Sequence, residues 1–103
     1  MTRTEKITKW IKALRSGRYK QGRGALVIFK DSESCYCCLG VAEKVCKMPE
    51  NFDGRLTGST VTYPELSAWL EITARQEERL IRMNDKLQKN FSEIADYIEK
   101  EIA

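Results

Sequence analysis

The densest run of chemically capable side chains is Arg15 followed by Arg18-Tyr19-Lys20-Gln21-Gly22-Arg23-Gly24. Arginine presents a planar fork suited to phosphate oxygens, and glycine lets backbone N–H groups come close to an anion. Tyr19, with Tyr36 further on, offers a ring on which a base could stack. The run lacks the Gly-Lys-Ser/Thr of a P-loop and the Gly-x-Gly-x-x-Gly of a dinucleotide fingerprint. It therefore predicts a binding site for an anionic small molecule, with a nucleotide as one candidate, built from Arg15, Arg18, Tyr19, Lys20, Gly22, Arg23, Gly24 and Tyr36. A solvated helix-to-strand connection, with glycine for its turns and cations for solubility, would have the same composition.

Cys35-Tyr36-Cys37-Cys38, with Cys46 beyond, is the second cluster. Structural zinc takes four ligands, usually as two spaced cysteine pairs, whereas Cys37 and Cys38 on one strand would point to opposite faces. Packing as small apolar residues is the expected role, with Gly40 allowing close approach, and no metal or cofactor is predicted. The sequence has no histidine, which removes Ser-His-Asp and Cys-His catalysis and His-ligated zinc. The acids Glu77, Glu78, Asp85, Glu93, Asp96, Glu99 and Glu101 interleave with Arg75, Arg79, Arg82, Lys86, Lys89 and Lys100 at helical spacings, which predicts a salt-bridged solvated face rather than a catalytic carboxylate pair. The expected protein is not an enzyme.

Charge is unevenly placed. Residues 1–30 carry nine Lys or Arg against Glu5 alone, while residues 31–103 carry nine against fourteen acids. This asymmetry points to an anionic partner for the N-terminal third, or to attraction between the two parts within the fold or between subunits. Nucleic acid ranks below a small anion, because Lys6, Lys9, Lys12 and Arg15 come without a helix-turn-helix, zinc finger or ribonucleoprotein strand. No apolar run is long enough to span a membrane or serve as a signal peptide, so the expected place is the cytoplasm, with thiols reduced.

The elements that must position these groups follow from pattern. Ile7, Trp10, Ile11 and Leu14 predict a first helix capped by Thr4 and stopped at Ser16-Gly17. Ala25–Phe29 reads as a buried strand, residues 31–34 as a turn and Cys35–Leu39 as a strand pairing back. Val41–Cys46 reads as helical, and residues 47–62 as irregular with a small hairpin near Gly58-Ser59. Three capping boxes, at Thr62, Thr73 and Asn90, start further helices, the last carrying Phe91, Ile94, Ala95, Ile98 and Ile102 on one face. Asn84-Asp85 falls near a helix end, where it can bond locally. The sum is one α+β domain over residues 1–103, a small antiparallel sheet of two to three strands packed with four to five short helices. A sheet this small leaves edges that favour a homo-oligomer.

Three segments, Lys9-Trp10-Ile11-x-Ala13-Leu14-Arg15-Ser16-Gly17, Tyr19-Lys20-Gln21-Gly22-x-Gly24-Ala25-Leu26 and Tyr36-Cys37-Cys38-Leu39-Gly40-Val41, together resemble a family of small proteins encoded by tailed bacteriophages. Asn84-Asp85 and Phe91 to Glu99 fit the same family. Two departures stand out: the family often has a further cysteine where this chain has Glu43, and a longer insert than residues 47–62. The resemblance implies a phage protein in the cytoplasm of an infected bacterium, and by analogy its basic glycine loop suits an accessory or counter-defence role, the sequestering of a nucleotide immune signal. The alternatives are a protein–protein inhibitor of a host enzyme or defence protein, and a nucleic-acid-binding or zinc-stabilised small module.

Overall fold

A computed structural model describes residues 2–46 and 63–103. Helix α1 (Arg3–Arg15) starts at Thr2, not at Thr4. Thr2 Oγ1 accepts from the Glu5 N–H at 3.1 Å, and the Glu5 carboxylate accepts from the Thr2 N–H at 2.9 Å. Thr4 has Ile7 three residues on, which cannot return the bond, so the reciprocal pair wins. These bonds also hold the Glu5 carboxyl below its ordinary pKa. Gly17, at φ 75°, closes the helix as expected.

Three short strands follow: β1 (Lys20–Gln21), β2 (Val27–Lys30) and β3 (Glu33–Tyr36). The sheet order is β1-β3-β2, with β3 between the other two. β2 and β3 are antiparallel, joined through Asp31 and Ser32, both at positive φ (52° and 66°), the twist that suits a two-residue hairpin. β1 pairs with β3 in parallel, Lys20 opposite Cys35 and Gln21 opposite Tyr36, so the sheet is mixed. Ala25–Phe29 is not a buried strand. β2 begins at Val27 and forms an edge, leaving Phe29 79% exposed.

The expected strand over Cys35–Leu39 is also corrected. The chain leaves the sheet at Tyr36 and enters α2 (Cys38–Cys46). Cys37 Sγ accepts from the Gly40 N–H at 3.3 Å, as a serine or threonine cap would. Helices α3 (Tyr63–Leu70), α4 (Ala74–Asp85) and α5 (Phe91–Tyr97) complete the described residues, α5 running on into a π-helical turn at Ile98–Ile102. The boxes at Thr73 and Asn90 both form. The irregular stretch 47–62, its hairpin and the Thr62 box lie outside the described residues.

α1 packs on α2 and on α5, and the core runs between them. Trp10, Leu39, Val41, Leu66, Leu70, Leu80, Ile94 and Ile98 are fully buried, each such side chain contributing about 1.5–3 kcal/mol. Trp10 Nε1 donates to the Cys38 carbonyl at 2.8 Å, fixing the first turn of α2 against α1. Lys6 lies across the other end of α1, donating to the Trp69 carbonyl at 2.7 Å with its ammonium 4.3 Å from the Trp69 ring centre. The result is the expected α+β domain, with one parallel pairing inside its small sheet.

Candidate functional site

The basic loop does not gather its cations around one point. Arg15 turns to α5, its guanidinium 2.6 Å from Asp96 and 3.2 Å from Glu99. Lys20 bridges across the sheet to Glu33 at 2.8 Å. These exposed pairs raise the pKa of Arg15 and Lys20 and lower that of Glu33. They also show that part of the charge asymmetry is neutralised inside the chain. Arg23 Nε donates to the Asn84 carbonyl at 3.0 Å. Arg18 is exposed and forms no ion pair among the described residues. Tyr19 and Tyr36 stack edge-to-face on each other, centroids 5.6 Å apart.

Nor do the glycines open the backbone. The Gly22 N–H donates to the Tyr36 carbonyl at 2.7 Å and that of Gly24 to Asp85 Oδ1 at 3.2 Å. A Cβ on Gly22 would lie 2.9 Å from Cys35 Cβ, so glycine there allows the strands to approach. Of the eight residues named from sequence, Gly22, Arg23 and Gly24 come together, but around a protein group.

That group is Asn84, fully buried near the end of α4. Its Oδ1 accepts from Gln21 Nε2 at 2.8 Å and from the Cys38 N–H at 3.2 Å. Its Nδ2 donates to the Gly22 carbonyl at 2.9 Å and to Asp85 Oδ1 at 2.8 Å. The amide has one possible orientation, because the Cys38 N–H can only donate and the Gly22 carbonyl can only accept. Gln21 also donates to the Lys89 carbonyl at 2.8 Å. Local bonding was expected of Asn84-Asp85, but the reach to two distant segments, at residues 21–22 and at Cys38, was not legible from spacing.

The other side of α4 carries a different arrangement. Arg75, Arg79, Arg82 and Lys86 recur at i, i+4, i+7 and i+11, which places them on one helical face. With Glu78 and the half-buried Ile81 they line an open groove of about 710 Å³. None of the four forms a salt bridge among the described residues. The remaining acids of the helix face elsewhere: Glu77 accepts from Ser67 Oγ at 2.9 Å, and Asp85 faces Asn84 and Gly24. The expected salt-bridged face is therefore corrected. Only Lys89–Glu93, at 3.9 Å, is an ion pair within that interleaved set. Assigning each acid its own helical angle would have exposed the row in the sequence.

Cys35, Cys37 and Cys38 are buried thiols, packed in the core or against it. Cys35 and Cys38 stand in Cys-x-x-Cys spacing, yet no group of three or more metal-ligating side chains occurs among the described residues. Burial pushes the Cys38 thiol well above its ordinary pKa, which keeps it protonated and a poor nucleophile. No helix of the described residues is long and apolar enough to cross a membrane.

Glu43 is 5% exposed, and its Oε2 has no hydrogen-bond partner among the described residues. Burial raises its pKa from 4.5 to about 6. The folded chain thus holds this proton more tightly than the unfolded chain, and stability falls as pH rises from 4.5 to about 6. Glu43→Gln is expected to flatten that window and to add on the order of 1–2 kcal/mol at pH 7. Urea unfolding of both proteins at pH 4.5 and 7.5 checks this, and an unchanged difference between the two pH values would refute it.

No curated protein and no solved structure matches the chain. Residues 2–54 match the model of a domain of unknown function, DUF8296, and the chain belongs to that family.

Proposed function

We propose that this protein is a non-enzymatic binder of an anionic partner, and that the row Arg75, Arg79, Arg82 and Lys86 is its contact surface. The observation that carries the reading is four aligned cations without an internal partner among the described residues, beside one groove-facing carboxylate, Glu78. In the basic loop, by contrast, Arg15, Lys20 and Arg23 already have protein partners. Burial keeps the Cys38 thiol protonated, and without histidine the sequence lacks the usual near-neutral proton shuttle. The resemblance to tailed-phage proteins would place the partner inside an infected bacterium, where the anionic partners on offer include a nucleotide signal, a nucleic acid and an acidic host protein.

Heparin, a generic polyanion, tests the surface without presuming the partner. The wild-type chain is expected to be retained on a heparin column and to elute at clearly higher salt than Arg79→Ala/Arg82→Ala. Lys20→Ala, which removes a cation already paired with Glu33, should elute with the wild type. Equal elution of the double variant and the wild type would overturn the reading.

A further inference from the structure

Resting on that reading, we infer that the α4 row takes the phosphodiester backbone of a nucleic-acid strand, held without regard to base sequence. Length is the first argument. At 1.5 Å per residue the row from Arg75 to Lys86 runs about 16 Å, enough to face roughly four or five successive phosphates of one strand. Its steps of four, three and four residues are each close to one helical turn, so every cation meets its own stretch of backbone.

Exposure is the second argument. Arg75, Arg79, Arg82 and Lys86 are all exposed, on an open groove rather than a closed pocket. A single exposed ion pair contributes little, on the order of 0–1 kcal/mol. A mononucleotide, engaging one or two of the cations, would therefore be held weakly. A polymer meets all four at once and releases its condensed counterions, which is how such rows reach useful affinity.

Third, the described residues lining the groove include no aromatic ring to stack on bases and no Asn or Gln to read adenine, and arginines strung along an open row face phosphates before base edges. Ile81, the apolar member, can pack against sugar but discriminates nothing. Tyr19 and Tyr36, the rings suited to stacking on a base, are packed edge-to-face on each other. Contact limited to backbone is contact without sequence preference.

The experiment is fluorescence anisotropy with a labelled 12-nucleotide single strand of mixed sequence, its duplex, a dinucleotide and ATP, across 50–300 mM salt. One or both 12-mers are expected to bind, the dinucleotide and ATP far more weakly. The log–log salt slope should be about −3 for the single strand or −3 to −4 for the duplex. Arg79→Ala/Arg82→Ala should roughly halve the slope, a reduction of about 1.4 for the single strand or about 1.8 for the duplex, and weaken binding about 10- to 30-fold at 150 mM salt. Far-ultraviolet circular dichroism of the variant should match the wild type, because both side chains are exposed. Retention on heparin with no binding of either 12-mer would overturn the inference and leave an acidic protein surface as the partner class. Dinucleotide binding as tight as the 12-mer would also overturn it, in favour of a small signal molecule. Failure of both heparin and the 12-mers would remove the proposed function as well.

Discussion

Asn84→Asp is expected to cost at least about 3 kcal/mol of folding stability, a large part of what a domain this size possesses. The change conserves shape almost atom for atom. It turns the donor that bonds the Gly22 carbonyl at 2.9 Å and Asp85 Oδ1 at 2.8 Å into an acceptor facing two acceptors. In a fully buried position the new carboxylate must either ionise beside Asp85 or take a proton, which leaves it one donor for two acceptors. Asn84→Ala should lose a similar amount by a different route, because the Cys38 N–H and the Gly22 carbonyl then lose a partner inside the protein. Urea unfolding measures both. An Asn84→Asp protein within 1 kcal/mol of wild type would show that the network is dispensable.

Gly40→Ala should be more damaging still, and on a purely steric ground. A Cβ at this position in α2 would overlap the Leu26 carbonyl oxygen and lie 2.8 Å from its carbon. The obstacle is main chain, so no rotamer relieves it. The same carbonyl accepts from the Cys37 N–H at 3.1 Å, so moving Leu26 aside breaks the bond that seats the start of α2. A loss above about 3 kcal/mol, or failure to fold, is expected. Gly22→Ala makes a milder clash: its Cβ would lie 2.9 Å from Cys35 Cβ and 3.2 Å from the Cys35 carbonyl carbon, which a few tenths of an ångström of movement in β3 would relieve, and 3.1 Å from Ile28 Cγ1. Its cost should be smaller, about 1–3 kcal/mol. The order of the two losses in thermal or urea unfolding is the check, and the reverse order would refute the packing argument.

What could be read in the sequence was what repeats with a period or obeys a local rule. The apolar spacing of Ile7, Trp10, Ile11 and Leu14 places α1, and the boxes at Thr73 and Asn90 place the starts of α4 and α5. Cys37 as a helix cap was not legible, because thiols seldom fill that role and the run Cys-Tyr-Cys-Cys has strand composition. The parallel pairing of β1 depends on β3 entering between two strands that precede it, and no local pattern encodes that. The internal partners of the basic loop were hidden for a related reason. Its charges and glycines are visible in sequence, but their partners Asp96, Glu33, Asn84 and Asp85 lie on other elements. The α4 row was legible in principle, since helical angle alone separates its cations from Glu77 and Asp85.

The bonds made by Asn84 also bear on the order in which the chain can fold during synthesis. They join residue 84 to residues 21, 22 and 38, separations of 63, 62 and 46 positions. Closing such loops costs chain entropy before any contact repays it. The N-terminal segment leaves the ribosome first, yet the Cys38 N–H, the Gly22 carbonyl and the Gln21 amide must wait for a residue translated much later. Helices can form early, but cooperative closure belongs to the arrival of α4. The described part of the stretch by which the family is recognised, residues 2–46, therefore carries three groups whose partner comes from outside that stretch.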